Sequence, residues 1–164
     1  FHGALLGIII GTLIFTFKEK IQTLFLLDIV ACVAPVGIFF GRIANFINGE
    51  LVGKVSNVPW SVIFPGTDNL PRHPSQLYEA FLEGIVLFII LNKFINNKNY
   101  KIGNCSILFL IFYGSFRIFA EIFREPDIQI GYIFGFLSMG SLLSIVMILS
   151  GVIIFLIKKD ENRL

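Results

Sequence analysis

Five stretches of this chain are apolar over about the length that crosses a lipid bilayer, and no other feature constrains its fold as strongly. A helix rises about 1.5 Å per residue, so roughly 20 apolar residues traverse about 30 Å of hydrocarbon. The runs are Gly3 to Phe17, somewhat short; Leu24 to Phe40, carrying Asp28 and Pro35; about Leu77 to Phe94; about Cys105 to Phe123; and Gly131 to Ile157. A polar tail, Lys158 to Leu164, follows the last. An apolar fraction of 55%, a mean hydropathy of +0.83 and 19 Phe exceed what one soluble core would bury, so the runs are read as lipid-facing. The expected fold is all-α: a polytopic transmembrane bundle of about five spans. Without an internal repeat or a low-complexity linker, residues 1–164 are expected to form a single transmembrane domain with an outward-facing loop at about 41–75.

Charge is sparse, at 15% of residues and a net of +2, which leaves neither a nucleic-acid footprint nor an acidic tail. Its distribution is more informative. Lys18, Lys20, Lys93, Lys98, Lys101, Lys158, Lys159 and Arg163 fall on one set of alternate connections, and Arg42, Lys54, Arg72 and Arg124 on the other. The excess of basic residues in cytoplasmic loops places the first set, and the carboxyl terminus, in the cytoplasm. His2, the loop from Gly41 to Ser75 and the Arg124 connection then meet the outer face. Cys32 and Cys105 have no partner at metal or redox spacing and read as small packing residues. No basic segment or small-residue cleavage site precedes the first run, so no signal peptide is expected. The opening at Phe1, without Met, predicts a fragment whose amino-terminal portion is missing.

The polar residues near the outer face carry the chemistry. In Gly41 through Gly53, Arg42 offers a fixed fork of donors that fits a phosphate bidentately, Asn45 and Asn48 add amide donors, and the glycines let backbone N–H groups approach an anion. The plain alternative is that Arg42 reaches to the interface and pairs with Glu50. In the fourth run Tyr113, Arg117, Glu121 and Arg124 fall at i, i+4, i+8 and i+11, one face of a helix. A central Arg costs about 2.5–3.5 kcal/mol on insertion scales, so Arg117 faces protein or a wet cavity, either pairing with Glu121 or binding substrate.

Near the start of the third run, Gln76, Glu79 and Glu83 share a face behind Pro74. The positive end of the helix dipole accounts for Glu79 in the simplest reading, and His73 reads as structural. His2 stands at the mouth of the first run beside Gly3 and Gly7. Spacing leaves it open as a general base, a loop hydrogen-bond partner or a cap.

These segments, in this order, resemble the prolipoprotein diacylglyceryl transferase family. The resemblance rests on His2-Gly3 with Gly7, on Gly41-Arg42 through Gly53, on Arg72-His73-Pro74-Ser75-Gln76-Leu77-Tyr78-Glu79, and on Tyr113-Gly114 with Arg117-Ile118-Phe119 and Glu121 through Asp127. It covers nearly the whole chain, and the second and third motifs together are very specific. Ala4 replaces a Gly usual in the family, and Ser141 a usual Gln. Members of the family have about seven spans, so the resemblance implies that these are the last five.

The resemblance implies a transferase of lipoprotein biosynthesis in the bacterial inner membrane, its active site facing the periplasmic side. It would move the diacylglyceryl group of phosphatidylglycerol to the lipobox Cys thiol of a prolipoprotein signal peptide, the first step of that protein's lipidation, without cofactor or metal. His2, Arg42 and Arg117 would be catalytic: the arginines hold the phosphate, and His2 is one group able to take the thiol proton. Asn45, Glu50, Gly53, Tyr113, Glu121 and Arg124 would bind or frame the substrate. A transporter would be expected to show repeats around a midplane site, and a CDP-alcohol type enzyme an Asp-rich metal motif; neither pattern is visible. A non-functional remnant of the family is the remaining alternative.

Overall fold

The computed structural model describes residues 2–126, 132–133 and 137–161. Helix α1 (His2–Glu19) leads into α2 (Thr23–Asn48). Two short strands, β1 (Val62–Ile63) and β2 (Pro71–Arg72), pair antiparallel beyond the end of α2. Helix α3 (Ser75–Glu79), a π-helical segment (Ala80–Val86) and α4 (Leu87–Ile95) follow as one continuous rod. After α5 (Asn104–Glu121), a second pair of two-residue strands, β3 (Tyr132–Ile133) and β4 (Leu137–Ser138), precedes α6 (Met139–Glu161). The molecule is thus a helical membrane bundle. Thr23–Asn48, Asn104–Glu121 and Met139–Lys158 are long and apolar enough to cross a bilayer. The third expected span is the rod that the π-helical segment divides.

Polar and apolar surfaces are inverted relative to a soluble domain. Ile14, Phe17, Val33, Phe40, Ile153 and Phe155 are exposed, while Asp28, Gln76, Glu79, Glu83 and Arg117 are buried. Lipid tails solvate the outer side chains, and the interior groups must find partners in the protein. Asp28 shows how completely this is done. Its carboxylate accepts from Tyr100 Oη (2.6 Å), Gly103 N (2.6 Å), Ser106 N (2.7 Å) and Ser106 Oγ (2.6 Å). Gly103, at the N-cap of α5, has no side chain to offer, so a carboxylate from α2 caps α5 instead. Cys32 and Cys105 are both free and pack with Leu87 and Leu91 in the core.

Three boundaries differ from the sequence expectation. Helix α2 runs to Asn48 rather than Phe40, so Arg42 and Asn45 lie on a helix, not in a loop. No Pro interrupts Gly41–Asn48, and the chain turns only at Gly49, whose left-handed φ of 67° lets its N–H close back on the carbonyls of Asn45 and Phe46. Helix α5 ends at Glu121, so Arg124 does not continue the face of Tyr113, Arg117 and Glu121. Helix α6 begins at Met139 instead of Gly131, after the β3–β4 pair; Gly131 itself lies outside the described residues.

Helix α5 packs most extensively on α6, and the π-helical segment on α2. The second contact depends on Gly84, where an added Cβ would lie 2.7 Å from Phe39 Cβ and 3.0 Å from Phe39 Cα. Gly37, also on α2, has nothing within 4 Å of that position. Gly84→Ala is therefore expected to destabilise the bundle by about 1–3 kcal/mol through overpacking, while Gly37→Ala stabilises it by up to about 1 kcal/mol. Thermal unfolding in detergent checks this; equal midpoints for the two variants would contradict the close α2 contact.

Candidate active site

Two arginines and three glutamates from separate elements meet inside one end of the bundle. Arg42 comes from α2, Glu79 from the end of α3, Glu83 from the π-helical segment, and Arg117 and Glu121 from α5. Arg42 Nε lies 2.8 Å from Glu79 Oε2, and Arg117 Nη1 lies 2.8 Å from the same oxygen. Arg117 Nη2 is 2.8 Å from Glu121 Oε2. Glu83 is a looser partner, 3.5 Å from Arg42 Nη2 and 3.8 Å from Arg117 Nη1. Glu79 and Glu83 are one turn apart, so both carboxylates face α2 and α5. A π-helical stretch widens the turn at that point, a distortion common at functional sites.

Electrostatics explain the arrangement. The side chains of Glu83, Glu79 and Arg117 are 0%, 1% and 8% exposed, against 17% for Arg42. At 2.8 Å each pair attracts by a gross figure of about 6 kcal/mol at an effective dielectric of about 20, offset by several kcal/mol of desolvation per ion. The network is therefore close to neutral for stability while fixing geometry closely. Formally it holds two positive and three negative charges, and its most exposed member is a guanidinium.

The connections that follow α2 and α5 cover this end. Residues 52–56 run between the 71–73 and 123–125 segments: Lys54 N donates to Phe123 O (2.9 Å), His73 N to Lys54 O (3.0 Å), Ser56 N to Pro71 O (2.9 Å) and Glu125 N to Val52 O (3.2 Å). Gly53 bridges to Arg124 and Val55 to Arg72. Arg72 ties the layer together by donating to Gly53 O (2.9 Å) and pairing with Asp68 (2.7 Å) and Glu125 (3.3 Å). Its guanidinium holds the Asp68 carboxyl below the usual carboxylate range, and Asp68 raises the pKa of Arg72 in return. An added Cβ at Gly53 would collide with the His73 carbonyl and lie 2.8 Å from that of Phe123.

The sequence-predicted residues are thus placed unequally. Arg42, Arg117 and Glu121 meet in the network, and the expected Arg117–Glu121 pair is present. Arg42 does not pair with Glu50. The Glu50 side chain is exposed, and its carbonyl accepts from Gln76 Nε2 (2.7 Å). Gly53 makes its close approach to the protein's own backbone. Asn45 is half-buried one turn beyond Arg42 on α2. Tyr113 stacks on Phe109, with centroids 5.4 Å apart, one turn before Arg117. Arg124 lines a cleft of about 320 Å3 with Lys54, Glu121, Ser138 and Ser141. His2 opens α1, and its side chain lies outside the described residues.

Glu79 and Glu83 are the residues that sequence reasoning passed over, and the shared face with Gln76 was their signal. His73 Nδ1 lies 3.2 Å from Tyr78 Oη, which accepts from Trp60 Nε1 (2.7 Å), at an apolar groove of about 400 Å3 also lined by Phe81, Phe119 and Phe123. Among the described residues, no group of three His, Cys, Asp or Glu side chains is placed to hold a metal ion.

Residues 1–157 match the family model described as prolipoprotein diacylglyceryl transferase. The chain belongs to the prolipoprotein diacylglyceryl transferase family. It is similar to the proteins of Rickettsia akari (strain Hartford), 55% identical over 92% of this chain and 59% of that one, and Rickettsia bellii (strain OSU 85-389), 56% identical over 99% and 62%. A third, from Rickettsia felis, is 57% identical over 92% of this chain and 59% of its own length. Each of the three is named phosphatidylglycerol–prolipoprotein diacylglyceryl transferase. The chain therefore spans about 60% of the length of these transferases.

Proposed function

We propose that the protein carries out diacylglyceryl transfer from phosphatidylglycerol to the lipobox cysteine of a prolipoprotein. The observation that carries this reading is the convergence of Arg42 and Arg117, from two different helices, on a single carboxylate oxygen. Two guanidiniums held so closely suit a phosphodiester. In the reaction, the cysteine sulfur attacks the glyceryl carbon that bears the phosphate. A C–S bond forms, the C–O bond to phosphorus breaks, and the thiol gives up its proton. Glycerol phosphate leaves with one more negative charge than the phosphodiester carried, and fixed cations beside its oxygens favour that change.

Arg42 and Arg117 hold the phosphate on this reading. Asn45 and Glu50 orient headgroup hydroxyls, Tyr113 and Glu121 support Arg117, and Arg124 lines the mouth of the site through its cleft. Gly53 holds the covering layer close through its backbone packing. His2 is one group able to take the thiol proton. The domain acts as a single unit in the bacterial inner membrane and engages membrane lipid and signal peptide, without cofactor or metal.

The test supplies labelled phosphatidylglycerol and a lipobox peptide to membranes containing the protein. Replacing either Arg42 or Arg117 by Lys keeps the charge and loses the planar fork, so transfer should fall by about 10²–10³ while abundance stays near normal. Lys variants that transfer at the unsubstituted rate would refute the phosphate role.

The lysine asymmetry supports a site on the periplasmic side with a cytoplasmic carboxyl terminus. Asn57 and Asn97 are both exposed, on connections at opposite ends of the bundle. A membrane-impermeant thiol reagent should label Asn57→Cys in intact cells and Asn97→Cys only after permeabilisation, and the reverse pattern would overturn the orientation.

A further inference from the structure

We propose that Glu79 is the positioning residue of the phosphate site, an internal carboxylate that sets the spacing of Arg42 and Arg117 and with which the phosphate of the lipid competes. The inference rests on the phosphate-binding reading above. One oxygen of Glu79 lies 2.8 Å from donors on both α2 and α5, so the two donors are near enough for a single oxyanion to engage both. No other acid of the network does this. Glu121 reaches Arg117 alone and from the same helix, and Glu83 stands off at 3.5 and 3.8 Å. Neither oxygen of Glu79 has a hydrogen-bond partner among the described residues, so ion pairing with the two guanidiniums is what holds this buried carboxylate.

Two opposed consequences follow. Bridging fixes the donors before the lipid arrives, which favours turnover by preorganisation. The same carboxylate puts a negative charge where a phosphate is to bind, in a cluster that already has more acids than arginines, which disfavours binding. Glu79 therefore acts in opposite directions on affinity and on rate. A residue needed only for packing would lower abundance and leave these two quantities unsplit.

The measurement is the affinity of the detergent-solubilised protein for a short-chain phosphatidylglycerol, beside its turnover with a lipobox peptide. Glu79→Gln should bind the lipid about threefold or more tightly and turn over at least about tenfold more slowly. Glu83→Gln, which removes a charge but neither of the 2.8 Å contacts, should tighten binding and lower turnover clearly less than Glu79→Gln does. Weaker or unchanged lipid binding by Glu79→Gln overturns the proposal, and so does unchanged turnover, or an equal loss of turnover in both variants. If Glu79→Gln does not accumulate, Glu79→Asp decides: its charge is kept and its carboxylate drawn back, so turnover should fall with no gain in affinity, and full turnover overturns the proposal. Absence of transfer by the unsubstituted protein would count against the functional reading, whereas the affinity comparison would still decide the role of Glu79.

Discussion

A charge inside a bilayer must find polar or charged partners inside the protein, and the placing of α2, α3 and α5 reflects that requirement. Arg42 and Arg117 sit on helices long and apolar enough to cross a bilayer. Neither is accommodated by its own helix alone: among the described residues Arg42 pairs with Glu79 and Glu83 of the neighbouring rod, and Arg117 with both of these as well as with Glu121. The network therefore ties three helical rods at one end. Buried ion pairs add little net stability, but they specify which helices meet and in what register.

Rigidity around the network comes from both ends of the bundle. At one end the 52–56 segment is laced between the 71–73 and 123–125 backbones, and Arg72 joins all three. At the other, Asp28 caps α5 with four hydrogen bonds, and Lys158 of α6 donates to Asn104 Oδ1 (2.7 Å) at the start of the same helix. Helix α5, which carries Arg117, is thereby held at both termini. On the proposed phosphate-binding reading, such a frame favours turnover, because loose donors would reorganise as charge develops.

Much of this was legible in the sequence, and the parts that were not share a physical reason. Apolar run length located the helices, and the i, i+4 spacing located the Arg117–Glu121 pair, because both signals are local. The partners of Arg42 were not local: Glu79 and Glu83 lie 37 and 41 positions further on, and the helix dipole gave Glu79 a sufficient explanation on its own. Gly41–Asn48 read as a loop because its polar composition does not suit a lipid-facing segment, and the acid near it in sequence was Glu50. With Glu79 supplied by α3, the segment is free to remain helical until Gly49. Arg124 was placed by extending a helical period past Glu121, where backbone pairing with Gly53 takes over. The family motifs include Arg42, Glu79, Arg117 and Glu121 of the buried network without showing which acid faces which base.

The transferases that this chain resembles are named for phosphatidylglycerol and prolipoprotein, and among the described residues Arg42, Arg117, Glu79, Glu83 and Glu121 form a buried charge cluster, which we propose as the phosphate site. The most direct measurement is an experimental structure of the protein in lipid with phosphatidylglycerol bound. The account predicts phosphate oxygens about 3 Å from guanidinium nitrogens of both Arg42 and Arg117, as charge-assisted hydrogen bonds require. A headgroup bound instead in the cleft of Lys54 and Arg124, with Glu79 still bridging both arginines, would contradict it.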